Sequence, residues 1–91
     1  PGALIEAEAA GLPIICSDIA NNLEVVEENK NALIFPINNS DILSKQLKEL
    51  ILNSEKRHKM GKESLNIYLD KFTIEEVHQK MFKLFKSLIK S

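Results

Sequence analysis

The chain has 91 residues, room for at most one small domain, and its 44% hydrophobic and 27% charged residues are ordinary for a globular protein. A formal net charge of -1 gives no footprint for nucleic acid or for a membrane surface, and the single cysteine excludes an internal disulfide. No apolar run approaches the roughly 20 residues that span a bilayer and no signal peptide is expected, a profile that suits a cytoplasmic protein.

Residues 3–10 are strong helix formers, four of them alanine, with Ile5 the one β-branched exception. They predict a short opening helix. Gly11 stands where a helix stop favours positive φ, and Leu12-Pro13 cannot extend the helix. The apolar run Ile14-Ile15-Cys16 predicts a strand buried on both faces. Cys16 within it is expected to be an inert thiol rather than a nucleophile. Pro1-Gly2 leads into the helix, so the first-turn N–H groups stay free to meet an anion. Glu6, one turn in, can accept hydrogen bonds from hydroxyls. A phosphate at the helix start beside a polyol on the carboxylate describes a nucleotide-like ligand.

Residues 18–22 form a polar loop, with Asn21-Asn22 expected to cap a short helix over residues 23–28. Asn29-Lys30-Asn31 supplies turn chemistry. Ala32-Leu33-Ile34-Phe35 predicts a second buried strand, closed by Pro36. The helical crossover between the strands makes a βαβ-like unit, so parallel pairing is expected. Ser40 is the expected N-cap of a third helix, with Asp41 favouring its start. Leu43, Leu47, Leu50 and Ile51 form its apolar stripe. Asn53-Ser54 breaks that helix, and Ser54 is expected to cap a fourth over residues 55–69. Met60, Leu65, Ile67 and Leu69 are its expected inward residues, and Gly61 weakens it mildly. After the connector Asp70-Lys71-Phe72, Thr73-Ile74-Glu75-Glu76 has the form of a capping box. It opens a last helix over residues 73–90 with the stripe Ile74, Val77, Met81, Leu84, Phe85 and Leu88. His58 lies among charged neighbours and His78 lacks a second ligand at helical spacing, so neither predicts a base or a metal site. Lys80, Lys83, Lys86 and Lys90 follow the polar side of the last helix, a solvated face by default.

The string Leu4-Ile5-Glu6-Ala7-Glu8-Ala9-Ala10-Gly11-Leu12-Pro13-Ile14-Ile15 resembles a segment of retaining glycosyltransferases with the GT-B fold, of the family 4 type (glycosyl transferases group 1). Asn21-Asn22-Leu23-Glu24-Val25-Val26 resembles another of that family's segments. So does Asn29-Lys30-Asn31-Ala32-Leu33-Ile34-Phe35-Pro36, where Asn31-Ala32 replaces Asn-Gly. Phe72 resembles the aromatic residue before the family's last helix. The family carries two glutamates separated by seven residues; Glu6 matches the second, and the first would fall before Pro1.

The resemblance implies an α/β fold: the C-terminal part of a Rossmann-like GT-B nucleotide-binding domain, in the order α-β-α-β-α-α-α with two parallel strands. Residues 1–91 would be a single partial domain. Glu6 would bind the ribose hydroxyls of a nucleotide sugar, UDP- or GDP-linked. The amides of Gly2, Ala3 and Leu4 would hold its distal phosphate, while Pro1 offers no N–H. Glu8, where the family often has methionine, is assigned no role. Glu24 matches a family glutamate, but a carboxylate stabilised at a helix start is the favoured reading. No catalytic residue, metal or cofactor is implied within the chain. The acceptor, a glycan or lipid as in polysaccharide biosynthesis, would be bound by a missing N-terminal domain. The chain alone is expected to be inactive, with self-association through its truncated sheet, and cytoplasmic or peripheral at the inner membrane face. The alternatives are a non-catalytic helical interaction module and a GT-B-fold sugar-nucleotide epimerase.

Overall fold

A computed structural model describes residues 2–71 and 74–90. The order is α1 (Gly2–Ala9), β1 (Ile14–Ser17), α2 (Ala20–Leu23), β2 (Ala32–Phe35), α3 (Ser40–Leu52), α4 (Ser54–Lys71) and α5 (Ile74–Lys90). β1 and β2 pair in parallel, with Ile14 opposite Ala32 and Ser17 opposite Phe35. The arrangement is the α/β fold expected of part of a Rossmann-like GT-B domain.

Side chains alternate across the two strands, so each face has its own cluster. Ile14, Cys16 and Ala32 pack with Val25 and Val26, and Leu4, Ile5 and Ala7 of α1 close over them. Leu33 packs on the other face with Leu50 of α3 and Met60 of α4, joined by Ile15. The strands are thus covered on both sides. The outer edge of β2 is covered too. The Ala32 carbonyl accepts from the Asn29 amide at 2.9 Å, and the Ile34 carbonyl accepts from Gln46 Nε2 at 2.9 Å.

The link between α1 and β1 depends on two glycines. Gly11 adopts φ +69°, the left-handed helix stop. Gly61 of α4 lies against it, and a Cβ on Gly61 would stand 2.3 Å from the Gly11 carbonyl oxygen. Gly61 is therefore not merely a weak point in a helix. It is what lets α4 approach the α1–β1 turn.

Several local expectations shift. α2 covers Ala20–Leu23 rather than residues 23–28, because Asn22 lies inside it and donates from Nδ2 back to Ser17 O and Oγ, each at 3.2 Å. Asn39, not Ser40, caps α3, its Oδ1 accepting from the Ile42 amide at 3.1 Å. Asn53 rather than Ser54 plays that part for α4, accepting from the Lys56 amide at 2.9 Å. Of the four inward residues expected on α4, Met60 and Ile67 are buried, whereas Leu65 and Leu69 are exposed; Gly61 and Ser64 complete the buried face. On α3, Leu50 is buried but Leu47 and Ile51 are exposed. The left-handed residue before β2 is Asn29, at φ 63°. Ala32 is an ordinary, fully buried strand residue, so its place needs no glycine. Phe72 and Thr73, and with Thr73 the capping box, lie outside the described residues. Met81, Leu84, Phe85 and Leu88 of the last stripe are 59–67% exposed.

Candidate functional site

A link of only four residues, 10–13, joins α1 to β1. The chain must double back there, so α1 runs antiparallel to the strand it precedes. One contact fixes the sense. Glu8, near the end of α1, is bonded to Asn31, which immediately precedes β2. The opposite end of α1, its N-terminus, therefore lies toward the carboxyl ends of both strands. In open α/β sheets that is where ligand crevices form.

The opening turn carries what such a crevice needs. Helix geometry leaves the first N–H groups without intrahelical acceptors. Gly2 and Ala3 are exposed and Leu4 is half-buried. Among the described residues no neighbouring atom lies within 4 Å of where a Gly2 Cβ would stand. Glu6 follows Gly2 by four residues, so it stands on the same side of the helix, roughly 6 Å along the axis. Its side chain is exposed. All four expected contact residues thus belong to one short helix, with Leu4 turned partly into the core.

The loop after β1 borders the same end. Asp18 Oδ1 accepts from the Ile37 amide at 3.1 Å, tying this loop to the one after β2. Glu24 does not start a helix; it is the C-cap of α2, its N–H bonded to the Ala20 carbonyl at 3.2 Å. The dipole-stabilised role expected of it is therefore reversed in sign. His58 borders a shallow hollow with Leu12, Pro13, Ser54 and Arg57. His78 is exposed on α5. Among the described residues no group of three His, Cys, Asp or Glu could hold a metal ion, and no helix is long and apolar enough to cross a membrane. Cys16 is buried, and burial pushes its thiol above the ordinary 9.0.

A second group of polar residues went unforeseen. Glu8, Asn31 and Ser64 are 1%, 0% and 0% exposed. Asn31 Nδ2 donates to Glu8 Oε2 at 2.8 Å and to Ser64 Oγ at 3.2 Å. The Ser64 hydroxyl donates to the Leu12 carbonyl at 2.5 Å, and Asn31 Oδ1 accepts from the Glu27 amide at 2.9 Å. Burial raises the Glu8 carboxyl above its ordinary 4.5; the Asn31 hydrogen bond and the Lys71 charge oppose this, and Glu27 adds to it. The signal was available. Glu8 stands four residues from Leu4 and three from Ile5, on the apolar side of α1, where a carboxylate requires a partner.

A family model described as glycosyl transferases group 1 matches residues 1–66. The chain is also similar to Spore coat protein SA of Bacillus subtilis (strain 168), with 35% identity over 82 residues. That match covers 89% of this chain and 22% of the relative, so the chain spans less than a quarter of that curated protein's length. No solved structure matches.

Proposed function

The chain belongs to the glycosyl transferases group 1 family, and from that premise we propose that it supplies donor contacts to a retaining glycosyltransferase of the family 4 type. The donor is a nucleotide sugar, UDP- or GDP-linked. The amides of Gly2, Ala3 and Leu4 hold its distal phosphate, and the Glu6 carboxylate accepts hydrogen bonds from the ribose hydroxyls. As the glycosidic bond to the leaving diphosphate breaks, negative charge grows on the phosphate oxygens. Fixed N–H groups and the positive end of the α1 dipole stabilise that charge at little reorganisation cost. The acceptor, a glycan or lipid, is bound by sequence beyond these residues.

The observation that carries the reading is the shared outward side of α1. Gly2 and Glu6, both exposed and one turn apart on α1, lie where the parallel strands end. Calorimetry with UDP and GDP on the native polypeptide that carries this chain tests it. One nucleotide should bind, and Glu6→Ala should weaken it about 10- to 100-fold, the worth of hydrogen bonds to a charged group. Equal affinity in both proteins would overturn the assignment of Glu6.

One observation favours a second reading. Met81, Phe82, Leu84, Phe85, Leu88 and Ile89 of α5 lie open to solvent, as in a helical module that serves a partner. Binding of neither nucleotide would leave that reading in possession.

A further inference from the structure

We propose that Glu8 is a positioning residue of the donor site: clamped by Asn31 near the end of α1, it fixes the rotation of that helix and so turns Glu6 and the first-turn amides outward. The proposal rests on the reading of α1 as the donor-binding helix.

Rotation matters because α1 is short. Eight residues make little more than two turns, and the helix meets the body through small or flexible apolar groups, Leu4, Ile5 and Ala7. Such contacts are nondirectional and tolerate a helix that rolls. A hydrogen bond to a buried carboxyl does not. Glu8 and Glu6 are two residues apart, roughly 200° around the axis, so burying one presents the other to solvent. Observed exposure follows that division, with Glu8 buried and Glu6 exposed.

The clamp is anchored on every side. Both Asn31 Nδ2 hydrogens are used, one on Glu8 of α1 and one on Ser64 of α4. Ser64 in turn holds the Leu12 carbonyl in the link between α1 and β1. The Glu27 amide fixes the Asn31 carbonyl from the loop before β2. The whole set is withdrawn from water, so no solvent competes for its bonds.

The groups facing Glu8 define its titration. Burial, with the Glu27 charge, favours the protonated acid; the Asn31 hydrogen bond and the Lys71 charge favour the carboxylate, and Ser64 is neutral. Burial outweighs the rest and favours the acid form. As pH rises through the Glu8 transition, ionisation works against the docked helix.

The test uses the native polypeptide that carries this chain, with UDP and GDP as probes and affinity measured from pH 5.5 to 8.5. Glu8→Gln keeps an acceptor for Asn31 and cannot ionise. Its affinity relative to the wild type should rise with pH, since only the wild type gains a charge at this position. Titration of the nucleotide's own phosphate is common to both proteins and cancels. Glu8→Leu fills the space without the hydrogen bond. It leaves one buried Asn31 N–H unpaired, so it should lower the melting temperature and bind about tenfold more weakly, the effect of losing one directed contact. Wild-type affinity in Glu8→Leu, or parallel pH courses for wild type and Glu8→Gln, would overturn the proposal. Should Glu8→Leu fail to fold, the pH comparison decides alone. Loss of binding in Glu6→Ala with silent Glu8 variants would sink the positioning role and leave the donor site standing; a wild type that binds neither nucleotide would remove both.

Discussion

Glu8 keeps 1% of its surface in water, and folding therefore competes with its ionisation. The unfolded chain loses the Glu8 proton near the ordinary 4.5, whereas the folded chain holds it to higher pH. Between those two values the folded state binds more protons, so stability falls as pH rises. The contribution is fully present below the unfolded value and is lost as pH passes the folded one. Urea unfolding at pH 5 and pH 8 should show the wild type losing stability relative to Glu8→Gln at pH 8; an unchanged difference would remove burial as the cause. At this scale the sequence was legible only in context. Glu6 is an unremarkable helix glutamate until the Gly11-Leu12-Pro13 stop and the following strand are seen beside it. Glu8 was left without a role although Leu4 and Ile5 mark its side of α1 as apolar; its partners, Asn31 and Ser64, are remote in the chain, and nothing local marks either as buried.

Element order was readable because each boundary carries its own chemistry: Gly11 at a left-handed stop, Pro36 after β2, and asparagines at the caps. Caps moved by one residue where two capping side chains stand together, Asn39 with Ser40 and Asn53 with Ser54. In both pairs the asparagine oxygen reaches the amide three residues on. Gly61 was misjudged because propensity sees one helix and the close approach involves two. Gly61→Ala would drive a methyl into the Gly11 carbonyl. Relieving that contact requires α4 or the turn to move, at a cost of about 1–3 kcal/mol. Chemical denaturation measures it, and a variant as stable as the wild type would contradict the packing described. The helix stripes were legible in period but not in side: Leu47 is exposed and Leu50 buried on α3, and on α4 Leu65 and Leu69 are exposed while Met60 and Ile67 are buried. A paired substitution separates them. Leu33→Ala, within the cluster beneath α3 and α4, should cost about 2–5 kcal/mol. Leu84→Ala, exposed on α5, should change stability by no more than about 0.5 kcal/mol.

At the scale of the molecule, a parallel sheet of two strands covered on both faces is a small core with an uneven perimeter. The outer carbonyls of β2 are occupied by Asn29 and Gln46, so strand addition is opposed there and favoured along β1. The 91 residues alone should therefore self-associate at high concentration and transfer no sugar; sedimentation and a donor-consumption assay check both, and a monomer with measurable transfer would refute both. Fold class was legible here because strand, crossover and strand follow in order. The edges were not, since occupancy of a carbonyl depends on Gln46, a residue on a later helix. The claim beneath all of this is that the opening turn of α1 receives a diphosphate. The most direct measurement is an NMR titration of the native polypeptide with UDP and GDP, following the amide signals of Gly2, Ala3 and Leu4. Saturating shifts of these three amides with one nucleotide are expected. Saturated binding that leaves all three unmoved would contradict the claim.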